Sequence, residues 1–525
     1  RRRRSIPSAT PSETPSTAPS SSSLPTDIPT ISANPSVPPT SKPSFKPSEY
    51  PSLKPSFTPS EHPSLKPSFT PSERPSVSLV PSGSPTTSSK PSATPTSAPT
   101  FVDYFPGELT VKENGLLLST GLTSTIIAET GKRVQLTGKK RKNRYSKIMF
   151  HGNPDGAAVF QRRESEGWLY VSNSEVRDGK GGVGVIRFNA EGKVTNYEMV
   201  LKKTSRNCSG GKSPWNTWIS CEENGKDGQI WEVDPFGERE ARKTVLGGDG
   251  GNFEAVAVDY RNPLNPAFFV THDAIDGEVR RFRPNATAVE SAMLRGDYDH
   301  WNILSTSGGV MEYLVIHPEG SDPRNVNAGS ITWTTNITEG KINAEAYYKN
   351  VEGIEILDGK VSFATKKGYA VFTLDLDEGT FRKLSTKTKE FAGEPDQLKY
   401  PQRQDNQEHS EDDQELMYVT EELEDRFYAG VHGIDSEGKI VTILRANDRR
   451  LVETTGLAFS PDNRHLYVGF LKPGNVFDIT RLDGLPFNGK TSSITYNTEK
   501  KDKKKDKNDN KKKKKRQDRD DDKKK

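Results

Sequence analysis

Between about residues 165 and 485 the chain is written in short apolar runs that alternate or are β-branched, each closed by a turn signal. "GWLYVSN", "GQIWEVDPFGE", "AVAVDY", "GIEILDGKVSFATKKGYAVFTLDLDEG" and "LAFSPDNRHLYVGFL" are examples. A period of two is the signature of strands, and Val, Ile, Tyr, Phe and Trp suit a pleated surface. Long amphipathic helical patterns are scarce. The fold class is therefore all-β, and two architectures accommodate it. One is a β-propeller, in which four-stranded sheets recur every 40–50 residues, so that residues 101–490 suit about six blades. The strand-turn-strand "FSPDNRHLYVGF" is typical of such a blade. The other is a pair of β-sandwiches.

The two ends are of a different kind. Apolar residues make up only 31% of the 525-residue chain, and the shortfall lies at the termini. Residues 1–100 hold 23 of the 37 prolines, set among Ser and Thr, with "PSLKPSFTPSEH" followed at once by "PSLKPSFTPSER". Proline at every fourth position blocks both helix and sheet. An extended, disordered stalk follows, open to glycosylation or phosphorylation and otherwise a passive spacer. It is similar in composition to the stalks of secreted algal cell-wall proteins, which implies an extracellular or cell-wall setting. Residues 499–525 carry 16 basic residues against 8 acids, so the rest of a chain with net charge +4 stands at −4. Neither end can bury enough apolar surface to offset its conformational entropy. The expected organisation is a stalk over 1–100, a folded domain over 101–490 with a polar loop inserted at 401–415, and a disordered tail over 491–525.

The mildly acidic folded part does not argue for nucleic acid, and the tail would touch any polyanion. No run of 18 apolar residues offers a transmembrane helix. The chain opens "RRRRSIP" and reads as a fragment or processed form, so its lack of a leader carries no meaning. Sequons stand at Asn207, Asn285 and Asn336. A monomer is expected.

Both cysteines and a Glu-Glu pair fall within "NCSGGKSPWNTWISCEEN", residues 207–224. A small disulfide loop, a well-packed strand pair and a metal site are all compatible with it. Trp215 and Trp218 suit a turn entering a buried strand. Gly210 and Gly211 permit unusual backbone angles. Glu222 and Glu223 follow the strand directly, and neighbouring strand residues face opposite ways, so both would meet one ion only if the chain bent there.

This stretch resembles the N-C-x-G-G-x-T-P-W-G-T-W-x-x-C-E-E-N signature of the PhoX-type alkaline phosphatases. The resemblance continues in order through "YVSNSEV", "GGNFEAVAVD", "FVTHDAIDGEVRRFRP", "KNVEGIEILDGKVSFAT", "AGEPDQLKY", "MYVTEEL" and "ETTGLAFSPDNRHLYVGFLKPGNVFDITRLDGLPF". It implies a β-propeller and a phosphoester hydrolase using Fe3+ and Ca2+. Matched residue by residue, Cys208 becomes an iron thiolate ligand, and Glu254 and Glu352 become iron or bridging carboxylates. Glu175, Glu222, Glu223, Asp273 and Glu421 become calcium or shared ligands. Cys208, Glu254 and Glu352 would carry catalysis. Asp396 arrives from a further strand of the same series.

The chain departs from the family pattern at several points. Ser174 and Phe253 stand where the family has His, and His272 where it has Glu. Asn350 stands where an Arg would clamp phosphate, leaving Lys366, Lys367 or Lys472 as candidate substitutes. His272 and His432 are read as ordinary surface or core residues. The alternative to an enzyme is therefore a non-catalytic calcium-binding propeller acting as a cell-wall or matrix module.

Overall fold

The computed structural model describes residues 102–138, 144–162, 167–295, 297–305, 308–320, 326–388, 391, 393–403, 416–423 and 429–497. The Pro/Ser stalk, most of the inserted loop and the basic tail lie outside the described residues.

Each alternating run becomes a strand, and successive strands pair antiparallel into six propeller blades, carried by five sheets, with Arg133–Leu136 and Arg144–Met149 as a separate two-stranded pair. The first blade runs through Pro154–Gln161, Trp168–Ser174, Gly181–Phe188 and Val194–Thr204. The second uses Asn207–Lys212, Trp218–Glu222, Ile230–Val233 and the short Arg242–Lys243. The third starts at Phe253–Asp259 and the fourth at Val351–Leu357. They share an edge, because Ala328–Thr334 pairs with both Gly309–Pro318 and Thr380–Ser385. The fifth starts at Glu394–Lys399 and the sixth at Val452–Phe459. The first strand of each blade packs against the first strands of both neighbours, so these six form a closed inner ring.

The ring is closed by strands from distant parts of the chain. Leu122–Glu129 pairs with Asn475–Arg481 as the outer strand of the sixth blade. Phe105–Glu113 and Leu116–Thr120 add to the outer edge of the fifth. Completing the last blade with an early strand locks the circle and removes an open edge. The folded part also runs past the expected boundary at 490. The Thr495 amide donates to Pro106 O at 2.9 Å, and the Asn497 amide to Ile440 O at 2.6 Å.

Six apolar clusters hold the blades together, one at each interface between neighbours. Leu169 and Val171 face the second blade, while Trp168 and Tyr170 face the sixth. A middle strand thus buries both its faces, and all seven residues of Trp168–Ser174 are buried. α-Helix is confined to Ala286–Arg295 and Ile337–Tyr347 among the described residues. No described helix is long and apolar enough to cross a membrane.

Candidate metal centre

All six inner strands start at the same mouth of the central channel, and each places one chemically active side chain near its start. These are Asp155, Cys208, Glu254, Glu352, Asp396 and Glu453. In the first five strands the pairing register slips immediately after, or across, that residue. Bulges of this kind bend a strand and re-aim its side chains. In the sixth, Glu453 itself adopts a left-handed φ of 59°. Such a conformation costs of order 1–3 kcal/mol and persists only where the surroundings enforce it. The close approach of the inner strands is paid for in glycine. A Cβ on Gly156 would lie 2.3 Å from Ser209 Cα, and one on Gly353 would lie 2.7 Å from Asp396 O.

Two sets of ligand-type atoms converge there. Cys208, Glu223 and Glu254 place one such atom each within 4.8 Å of one another, and so do Glu254, Glu352 and Asp396. Glu254 is common to both. It is 1% exposed, and neither of its carboxylate oxygens has a hydrogen-bond partner. Burial and the neighbouring Glu352 and Asp396 push its pKa well up. Burial, with further acids nearby, pushes Asp396 up to about 7 and Glu223 to about 8. Asp155, Glu352 and Glu453 are raised for the same reasons. The Cys208 thiol is also raised, by burial and then by Asp155 and Glu254, and it donates to Asp155 Oδ2 at 3.3 Å. Gln397 fixes the other oxygen of Asp155 at 2.6 Å. Desolvated like charges without partners are costly, and a bound cation would offset them by favouring the charged forms. The donor set therefore fits metal ions. Thiolate with carboxylate suits a first-row transition metal, and the all-carboxylate set suits a hard cation.

A second ring comes from the ends of the second strands. The Arg206 guanidinium, in a left-handed conformation at φ 51°, joins Glu175 at 3.1 Å and Glu223 at 2.6 Å. Burial works against its charge, but the two acids outweigh burial and hold its pKa up. A cavity of about 320 Å³ opens beside it, lined by Arg177, Asp178, Ser205 and Asn224 as well. Lys366 Nζ lies 2.6 Å from Glu422, 3.1 Å from Glu352 and 3.8 Å from Asp273. The Glu352 contact is an ion pair without hydrogen-bond alignment. Asn350, at the position expected for a clamping Arg, donates instead to Asp273 Oδ1 at 2.7 Å.

Of the residues singled out in the sequence, Cys208, Glu223, Glu254, Glu352 and Asp396 meet in the centre, with Glu175 and Asp273 on its rim. Glu222 and Glu421 do not join them. Glu222 accepts from the Ser205 and Gln229 amides at 2.7 and 3.0 Å, so both its oxygens are spent on backbone. The chain does not bend at the Glu-Glu pair as a shared ion would need, and strand alternation sends only Glu223 inward. Glu421 accepts from the Gly393 amide at 2.6 Å and sits 3.1 Å from His432, while its neighbour Glu422 turns to Lys366.

Both cysteines are free thiols, with Cys221 buried in the apolar cluster between the second and third blades. Gly210 and Gly211 keep negative φ and serve by their size. A Cβ on each would lie 2.0 Å from Ile219 O and 1.9 Å from Val256 O. Asn207, the acceptor of one sequon, is fully buried. Lys366 enters the site, whereas Lys367 pairs with Glu394 at 2.8 Å. Sequence reasoning missed Asp155, Arg206 and Glu453. Their one shared signal is position, at or just before the start of an inner strand.

A family model described as alkaline phosphatase PhoX matches residues 192–295, the span that holds Cys208, Glu223, Glu254 and Asp273. Among solved structures, Pseudomonas fluorescens PhoX in complex with vanadate, a transition state analogue, aligns with a TM-score of 0.54 at 14% identity. The alignment covers 74% of this chain and 99% of that one. A putative gluconolactonase aligns at 13% identity and a TM-score of 0.36, over 72% of this chain and 97% of that one. A luciferin-regenerating enzyme aligns at 13% identity and a TM-score of 0.35, over 71% and 100%. No curated protein sequence matches the chain.

Proposed function

We propose that this chain, a six-bladed propeller resembling the PhoX-type alkaline phosphatases, is a metal-dependent phosphoester hydrolase. The observation that carries the reading is Glu254, a buried carboxylate with neither oxygen partnered, shared by two ligand sets at one channel mouth. Cys208, Glu223 and Glu254 would hold iron, and Glu254, Glu352 and Asp396 would hold calcium. When bound, the ions supply the charge neutralisation and Lewis-acid activation that phosphoester cleavage needs. The protein supplies the rest. Asp155 Oδ2 accepts the Cys208 thiol at 3.3 Å and would take its proton as the thiolate forms, while Gln397 holds the other oxygen of Asp155. Arg206 and Lys366 place positive charge at the rim, where they orient an anionic substrate.

The Pro/Ser stalk and the extracellular or cell-wall setting belong to the same proposal, with the stalk as a spacer and the tail as a polyanion contact. One observation favours a second reading, a calcium-binding propeller without turnover. Asn350 is bonded to Asp273 and brings no guanidinium. Hydrolysis of a generic aryl phosphate by the full chain with Fe3+ and Ca2+, repeated in excess chelator, separates the two. Chelator-sensitive turnover that is lost in Cys208→Ala supports the enzyme. Calcium binding by the folded protein without turnover supports the second reading and rejects the first.

A further inference from the structure

The channel has a second mouth, at the far ends of the same inner strands, and its chemistry is opposite. A cavity of about 250 Å³ opens there. Five of the six inner strands, or the residues that directly follow them, line it: Ala158 and Val159, Lys212, Glu355, Lys399 and Phe459 are among the lining residues. Three cations, Lys212, Lys399 and Arg403, face it against the single acid Glu355. Two of these cations are spoken for, since Lys399 pairs with Glu355 and Arg403 with Asp358. Lys212 is different. Among the described residues its ammonium has no carboxylate and no hydrogen-bond acceptor, and it sits 5.1 Å over the Phe160 ring. Burial, and then Lys399, bring its pKa down to about 8 against the pull of Glu355.

The side chain is only partly buried, so its ammonium borders the cavity, where an anion can take the place of water. The floor beside it is apolar, formed by Ala158, Val159, Ala458 and Phe459. A charged anchor over an apolar floor is the usual build of a small-molecule site, although 250 Å³ admits only a few heavy atoms beyond the charged group. We propose that this far mouth binds a small organic anion, a carboxylate or a phosphate-type monoester, with its anionic oxygens on Lys212 and its carbon part on the apolar floor. The site does not depend on the metal centre, which lies at the other mouth of the channel.

The test is calorimetric titration of the full chain in excess chelator, where the acidic mouth repels anions. Butyrate is the carboxylate probe, methylphosphonate is the phosphate-type probe, and chloride at matched ionic strength is the control. One probe or both should bind with unit stoichiometry, and which one binds identifies the class. Lys212→Met, close in shape, should weaken that binding at least about tenfold, as loss of a charge-assisted contact does. A second measurement locates the ligand. The binding probe should protect Lys212 from amine acylation about tenfold when present at ten times its Kd, while the exposed Lys132 is unprotected. No binding beyond chloride, or equal binding by a folded Lys212→Met protein, overturns the proposal.

Discussion

Removing metal should make the protein lose stability as pH rises, and the structure gives the size of the effect. Nine carboxyls crowd one mouth of the channel: Asp155, Glu175, Glu223, Glu254, Asp273, Glu352, Asp396, Glu422 and Glu453. Among the described residues, Arg206 and Lys366 are the cations paired with them. Asp396 is raised from 3.8 to about 7, mainly by burial. That displacement corresponds to about 4 kcal/mol between the charged and neutral forms. Repulsion between neighbouring acids is a separate contribution of similar size. Two unit charges 4.8 Å apart, the outer limit of each ligand set, repel by about 3.5 kcal/mol at an effective dielectric constant of 20.

The sign follows from proton counting. A raised folded pKa means that the folded state keeps a proton the unfolded chain has already released. Stability from this source is therefore full below about pH 4 and is lost as pH climbs through about 7 to 8. The acids share their repulsion, so the losses do not add. We expect the unfolding free energy in chelator to be about 3–6 kcal/mol lower at pH 8.5 than at pH 5. Urea denaturation across that range, with chelator and again with saturating Ca2+, measures it. Calcium should flatten the profile, and Glu254→Gln should flatten the chelated one in part. A chelated profile already flat, or a fall that calcium leaves untouched, would refute the reasoning.

Three further outcomes are expected. Glu223→Gln should lower metal affinity by more than about tenfold with little change in stability, whereas Glu222→Gln should cost about 1–3 kcal/mol of stability and leave metal affinity unchanged. Titration and denaturation of the pair distinguish them. Lys366→Met should destabilise the metal-free protein by about 3–5 kcal/mol, because Glu352 and Glu422 lose their cation. Denaturation in chelator measures this, and an unchanged midpoint would mean that those acids are already neutral. Asn350→Arg should lower KM for an aryl phosphate by about tenfold by restoring a charged contact, and steady-state kinetics read it directly.

The strands themselves were legible in the residues. Period-two runs, turn glycines and the absence of helical periodicity all act over a few residues, and the structure reproduces them as the strands of six blades. Cys208, Glu254 and Glu352 were legible through motifs. Glu222 and Glu421 turn to backbone amides and His432 instead, because a motif names an acid without saying which way its side chain faces. That choice rests on strand parity, which a single bulged residue resets. Asp155 sits in "NPDGA", a stretch with no mark of chemistry, and Glu453 opens the quoted "ETTGLAF" without being singled out; both gain their role only as starts of inner strands.

What the sequence alone determined, then, is local: all-β structure, the extent of the strand-forming region and the residue types available for binding. The tertiary structure decided which of them meet. Closure of the ring by Leu122–Glu129 on Asn475–Arg481 joins segments some 350 residues apart and points all six inner strands the same way. One mouth of the channel becomes acidic and the other basic because side chains at opposite ends of the same strands are sorted by direction, and no local pattern in the chain carries a strand's direction.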